Sequence, residues 1–470
     1  MSADLAAPVT TIILMPGDPG WDDARRAWNL AVDQHPAAIA LPESAHDVAA
    51  AIGFARERGL RVAAQGTGHN ARPLGSLADT VLVKTARMRQ VSIDPVARIA
   101  RAEAGAVWHE VVEAAAGHGL AALAGSSPDV GIVGYTLGGG MGWLGRAYGL
   151  SASNVESFEA VTADGRLVRA DACTEPDLFW ALRGGGGSFA VVTAIELRLF
   201  GVTEVYAGLL WWPIEAGGEV LHAWQELTAS GLPDEFTTTF RFLRFPDVPD
   251  VPEPVRGGAF AVVDAIHLGT PAEGEALLAP LRKLRPVTDT MAMISMPALS
   301  HLHMDPEHPV PGVGDGIMLA SLPAEAVTRL LGVAGPGTGS PLGVELRHVG
   351  GEMKRTRPGN GALAAVNADY ALFAASAAPT PQAVSAIGHG VAAVLSVMAP
   401  WAAAQTYLNL TETRRDPAGF WAPQVYDRLR RVKAAVDPTD LIRANHPIPP
   451  ARPEQAAPSA QDHAILQPAG

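Results

Sequence analysis

The chain has 470 residues, 48% apolar and 18% charged, with 49 glycines and 38 prolines; this balance excludes collagen, coiled coil and a wholly disordered chain. At roughly 100–200 residues per domain the length suggests two or three domains, whose cores need no disulfide or structural metal, and the one cysteine, Cys173, allows no internal disulfide. The formal charge of −13 argues against nucleic acid or an anionic membrane as partner.

No apolar run approaches the ~20 residues of a membrane span, and the N-terminus lacks the basic-then-apolar order of a signal peptide. The expectation is a soluble cytoplasmic protein, monomer or homodimer. Regular structure is predicted from residue 37: a strand over 37–41, a helix opened by Pro42 and Ser44 and running to about 58, and a strand over 61–64. A glycine loop, a strand over 80–84, strand-like stretches over 91–93 and 99–103 and a helix over 107–116 follow. Beyond a glycine-rich centre (125–149), residues 158–162 and 167–169 read as a hairpin and 191–199 as a strand. Composition shifts after Phe200, and the segment 206–410 reads as a second domain. It has strands over 208–212, 237–242, 259–267 and 343–347 among Ala-rich helices and proline-rich loops at 246–254 and 305–313. The tail, 451–470, reads as disordered.

Three glycine-rich loops lie between 64 and 193. In AQGTGHN (64–70) the glycines let backbone N–H groups approach a ligand, and His69 is a candidate for chemistry, a turn-capping histidine being the alternative. The stretch GSSPDVGIVGYTLGGGMGWLGRAYGLSASN (125–154) is too rich in glycine for an ordinary core element and predicts special backbone angles or a large ligand against the main chain. Gly140, Gly142 and Gly145, with Glu159 later, satisfy the dinucleotide-binding spacing but lack the preceding strand, so that match is a decoy. RGGGGSFAVVT (183–193) completes the set, and the trio points to an anionic cofactor held by backbone N–H groups.

His69 in its loop, GGGMGWLGRAYGLSASN, DLFWALRGGGGSFAVVT (177–193) and WAPQVYDRLRRVKAAVDPTDLIRANHPI (421–448) occur in an order that resembles flavoproteins of the vanillyl-alcohol oxidase superfamily. The chain is most similar to their bacterial berberine-bridge-enzyme-like branch, over about 21–450. The resemblance implies an α+β, two-lobed protein. A PCMH-type FAD-binding domain (1–205), completed by a C-terminal segment (411–450), would accompany a substrate domain (206–410) with an antiparallel sheet flanked by helices. It implies FAD bonded covalently through His69, singly because Ser127 stands where many members have a second, cysteine link. Cofactor contacts would come from Gly66, Thr67, Gly68, Asn70, Gly131, Gly134, Gly138, Gly139, Gly140, Asn154, Val192, Asn409 and Asn445. Departures from the family pattern are Gln65 for arginine, Val133 for glycine, GSFA (187–190) and Pro447. Ile132 lies where side-chain size gates oxygen, leaving the electron acceptor open.

Tyr407 and Asn409 match a Y-x-N-Y motif whose final tyrosine, often the base, is Leu410 here. Tyr407, Tyr370, His348 and Glu345 are the substitutes, the last two from a strand that should face the ring. SHLHMDPEHP (300–309) has metal-ligating residue types but no second ligand group, and reads as a solvated loop with no metal. The tryptophans Trp211, Trp212, Trp224 and Trp401 suit either an apolar substrate or core packing. The implied function is an FAD-dependent oxidase passing hydride from a small molecule (alcohol, hemiacetal, amine or activated C–H) to flavin, with dioxygen as acceptor. A ligand-sequestering flavoprotein and a nicotinamide-dependent dehydrogenase are the rivals.

Overall fold

The computed structural model describes residues 12–249, 251 and 253–452; the predicted tail lies almost entirely outside them. The first regular unit forms as local signals require. Ser44 caps the helix Ala45–Glu57 by accepting from the Asp47 N–H, and Val48, Ala51, Ile52 and Ala55 bury one stripe of it at helical spacing. That stripe packs on a four-stranded sheet ordered Ile12–Leu14, Ala38–Leu41, Thr80–Lys84, Arg61–Gln65, parallel except at its first pair. Residues 441–443 extend this sheet beside Arg61–Gln65: Val62 N–H donates to Leu441 O (2.9 Å) and Arg443 N–H to Val62 O (2.8 Å).

A second, five-stranded antiparallel sheet is ordered Val91–Asp94, Ile99–Glu103, Val191–Arg198, Val155–Val161, Leu167–Ala170. The glycine-rich centre runs across it and contains a short helix, Ile132–Leu137. Several of its glycines take the special backbone angles expected of them (Gly139 φ +119°, Gly140 φ +75°, Gly149 φ +85°), and several make room for protein. A Cβ on Gly138 would coincide with the Asn409 carboxamide, and one on Gly139 would lie 2.9 Å from the Tyr407 hydroxyl.

An eight-stranded antiparallel sheet dominates residues 204–377. Its main path runs Thr288–Asp289, Glu204–Pro213, Ala259–His267, Phe236–Arg244, Gly343–His348, Tyr370–Ala377, Gly312–Leu319, and Ala292–Ser295 pairs with Glu204–Pro213. Strand alternation sends Phe236, Phe240, Phe242, Val344, Leu346 and Leu372 into a core roofed by the helices Gly217–Ala229, Pro271–Arg282, Ala324–Ala334 and Pro381–Met398. Trp212 and Trp224 belong to that core, which decides between their two readings in favour of packing. The segment Pro381–Trp401 is long and apolar enough to match a membrane span by composition, correcting the expectation that no stretch comes close. Its stripe Ile387, Val391, Val394 and Met398 is buried on the sheet.

Candidate functional site

Between the two lobes the 125–131 loop separates two groups of side chains. On one side His69 follows the strand Arg61–Gln65 and is stacked on Trp28, ring centroids 4.0 Å apart and nearly parallel. Thr67 Oγ1 meets its Nδ1 at 2.8 Å, while its Nε2 lies 3.3 Å from Asp129 Oδ1. Asp129 also accepts from Trp28 Nε1–H and from Ser127 Oγ–H, the latter at 3.0 Å. Burial raises the proton affinity of Asp129, but His69, Trp28 and Ser127 outweigh it and hold the carboxyl below its ordinary value. Ser127 is thereby a ligand of Asp129.

Asn70 ties this loop to the C-terminal segment, donating to Leu408 O and Thr411 O at 3.3 and 3.1 Å. Asn409 in turn donates to Tyr135 O (2.8 Å) against Gly138. Asn154 serves the backbone, bonding Tyr148 O and Leu150 O, and Asn445 accepts from the His446 N–H; neither contact needs a cofactor. Val192 is buried in the strand Val191–Arg198. Glu159 pairs with Arg101 at 2.8 Å, which leaves the dinucleotide spacing without its ribose ligand.

On the other side, Glu345 and Arg347 stand on the face of the eight-stranded sheet opposite its helices, since their strand neighbours Val344 and Leu346 enter the helix-covered core. The sequence placed His348 and Tyr370 with Glu345, and the structure separates them. Tyr370 bonds Thr228 Oγ1 (2.8 Å) on the covering helix Gly217–Ala229. His348, at its strand's end, faces the Tyr370 ring and Arg146, and burial together with Arg146 and Lys354 pushes it down to about 3. The reason is the two-residue period of a strand, which the spacing 345 to 348 crosses.

Glu345 is bound by Arg347 and lies 3.2 Å from His303 Nε2. His303 is buried, its Nδ1 2.8 Å from Asp305 Oδ1. This corrects the solvated-loop reading of 300–309 for His303, whereas His301 does pair with Glu307 at the surface. Ser126 connects the groups, donating to Asp305 Oδ2 (3.2 Å) and accepting from Arg347 Nη2 (3.1 Å). Arg241 and Asp264, buried on the same sheet face, close the cluster through an ion pair of 2.7 Å. Burial favours the neutral acid at Glu345, but Arg347 and His303 prevail and keep its carboxyl ionised. Burial and Arg241 work against a charge on His303, yet Asp305 and Glu345 raise it to about 9.

Tyr407 approaches this cluster from the C-terminal segment; its buried hydroxyl lies against the backbone N–H groups of Gly140 and Met141, and burial raises its proton affinity. The Tyr135 hydroxyl is buried without a partner, and burial raises its proton affinity too. Leu410 lines a cavity with Met318, Tyr407, Thr411 and Arg415 and offers it no titratable group. Sequence reasoning missed Trp28, Ser126, Asp129, Tyr135, Arg241, Asp264 and Arg347, and weighed His303 and Asp305 only as metal ligands. Only the SSPDV run and the His-Asp segment carried a signal for any of them. Among the described residues, no group of three or more His, Cys, Asp or Glu is arranged to hold a metal.

The residues fit a bound flavin dinucleotide. Gly134 is exposed on the helix Ile132–Leu137 with nothing within 4 Å of its Cβ position, and a Cβ on Gly131 would touch Thr67 at 3.7 Å, which brings the 64–70 loop and this helix start together. Gln65 Nε2 and Asn70 Oδ1, both on or beside the 64–70 loop, are buried without a partner and free to bond a ligand.

Residues 36–171 match the FAD binding domain and 406–449 the berberine and berberine-like segment. (R)-6-Hydroxynicotine oxidase of Paenarthrobacter nicotinovorans is 29% identical over 482 residues, covering 96% of this chain and 99% of the relative. Among solved structures, 6-hydroxy-D-nicotine oxidase of Arthrobacter nicotinovorans is similar with a TM-score of 0.77 and 26% identity, covering 95% of this chain and 100% of that one. Chitooligosaccharide oxidase shares the fold at TM-score 0.79 and 22% identity, covering 94% and 98%. Fold, site and domain matches together define an α+β, FAD-dependent oxidoreductase acting on a small molecule. The chain thus carries an FAD binding domain and a berberine-like segment, and its homologues are FAD-linked oxidoreductases.

Proposed function

We propose that the protein is an oxidase that removes hydride from a C–H bond beside an amine or hydroxyl group, with Glu345 accepting the accompanying N–H or O–H proton. FAD, when bound, supplies the hydride acceptor and the reactivity toward dioxygen. The single observation that carries the assignment of Glu345 is its place as an ionised carboxylate on the sheet face opposite the helices, whereas Tyr370 and His348 are turned away. Tyr407, with its proton affinity raised by burial, stays a phenol at neutral pH and suits donation to a substrate heteroatom. Arg347 orients Glu345 through their ion pair, and the two lobes exclude water around it.

His69 is the residue that holds FAD covalently in this reading, and the attachment is single. Trp28 fixes the plane of its ring while Thr67 and Asp129 bracket the two nitrogens. Ser127 offers a hydroxyl where a thiol would be required for a second bond.

The test is anaerobic mixing of holoenzyme with 6-hydroxynicotine, other cyclic amines and chitooligosaccharides, watching the flavin band. Bleaching by one of them, at least ~10²-fold slower in Glu345→Gln, is the expected result. A Glu345→Gln rate equal to wild type, with Tyr407→Phe slow instead, would transfer the role to Tyr407. Tight binding across the panel without bleaching would favour a sequestering protein.

A further inference from the structure

The segment 300–305 brings a histidine into the site by an unusual route. Met304 has a left-handed backbone (φ +60°), a conformation that is strained for a non-glycine residue. That turn folds Asp305 back onto His303 Nδ1 (2.8 Å) and so aims Nε2 at Glu345 Oε2 (3.2 Å). Arg241 Nη1 clamps the His303 carbonyl at 2.7 Å, and the Trp143 ring lies beside the imidazole, centroids 5.7 Å apart. A solvated loop would need none of these features.

We propose that His303 is the positioning residue for Glu345, a cation pinned by Asp305 that orients the carboxylate and balances its charge; this rests on Glu345 being the proton acceptor. The charged groups around the imidazole are Arg241 on its strand, Asp264 on the next, Glu345 and Arg347 on Gly343–His348, and Asp305 on its own segment. Asp264 Oδ2 is 3.6 Å from Nε2 and has no other partner, while burial raises the proton affinity of its carboxyl, so the imidazolium is balanced chiefly by Asp305 and Glu345. Arg241 opposes it, but is engaged by Asp264 Oδ1.

Two measurements on the holoenzyme decide the matter. In ¹⁵N-histidine-labelled protein, His303 is identified by its loss in His303→Gln, or through its contact with Trp143 if that variant does not fold. Wild-type His303 is expected to be doubly protonated at neutral pH and to titrate at least about one unit lower in Glu345→Gln; an unchanged titration would overturn the pairing. The second is the pH profile of flavin reduction. Losing the imidazolium should move the acidic limb to higher pH in His303→Gln, because Glu345 then protonates more readily. A lower rate with an unmoved limb means a structural role only and overturns the inference. The Glu345→Gln rate separately decides whether Glu345 is the acceptor, so the two failures are distinguishable.

Discussion

His69 illustrates how much a single residue's role depends on neighbours distant in the chain. Its own loop supplies Thr67, but the stacking ring comes from Trp28 and the carboxylate from Asp129, which Trp28 and Ser127 also hold. An imidazole so confined suits a permanent tether better than a mobile acid–base group. The expected outcome is that acid precipitation leaves yellow flavin on the wild-type protein and releases it from His69→Ala, read as absorbance of pellet and supernatant. Equal release from both would exclude the tether. His69 was legible because it follows a strand inside a glycine loop, whereas Asp129 and Trp28 were not: neither shows what it faces until the loops are folded together.

At the scale of elements, the glycine-rich centre is shaped by the C-terminal segment as much as by any ligand. Gly138 leaves space for the Asn409 carboxamide, which bonds Tyr135 O, and Asn70 bonds the backbone on either side of it at Leu408 and Thr411. Gly138→Ala would drive a methyl group into that carboxamide. We expect it to lower stability by about 1–3 kcal/mol, the usual cost of overpacking, and to weaken flavin retention, both measurable by thermal melts followed through flavin fluorescence. A melt and flavin content equal to wild type would show that the segment moves aside freely. The sequence displayed these glycines but gave no way to tell protein contact from ligand contact. Elements escaped for related reasons. Tyr370–Ala377 was not assigned as a strand because four of its eight residues are alanine, a weak strand former; pairing on both edges with strands Gly343–His348 and Gly312–Leu319 overrides that propensity. Gly312–Leu319 was hidden by its glycines, of which Gly314 faces Phe373 and Gly316 faces Leu410.

Across the whole molecule, the lobes are joined where residues 406–450 run back from the substrate sheet to the flavin lobe. Lys433 is fully buried and donates to Ser188 O, Ile442 O and Asp437, fastening the helix Pro423–Val436 to the third glycine loop. Nearer the substrate sheet, the Glu412 N–H donates to Asp315 Oδ1 at 3.0 Å. Burial, and then the charge of Asp315, raise the Glu412 carboxyl from 4.5 to about 8. The folded protein therefore binds a proton there that the unfolded chain has lost. Stability from this group is fully present below about pH 4.5 and is lost as the pH rises through about 8. Glu412→Gln should accordingly melt higher than wild type at about pH 8.5 and equally at about pH 5; the same difference at both values would rule the linkage out.

The sequence by itself determined the cofactor lobe. Backbone freedom, caps and strand periodicity act over a few residues, so the glycine loops, the Ser44-capped helix and the order of the family motifs could be read along the chain. Tertiary structure alone decided the reaction face. Whether Glu345, His348 or Tyr370 reaches it depends on strand parity and on which side the helices cover, and His303 and Asp305 arrive from a segment 40 or more residues away in sequence. Such side chains are selected by long-range packing and by the energy of burying charge, neither of which leaves a local pattern.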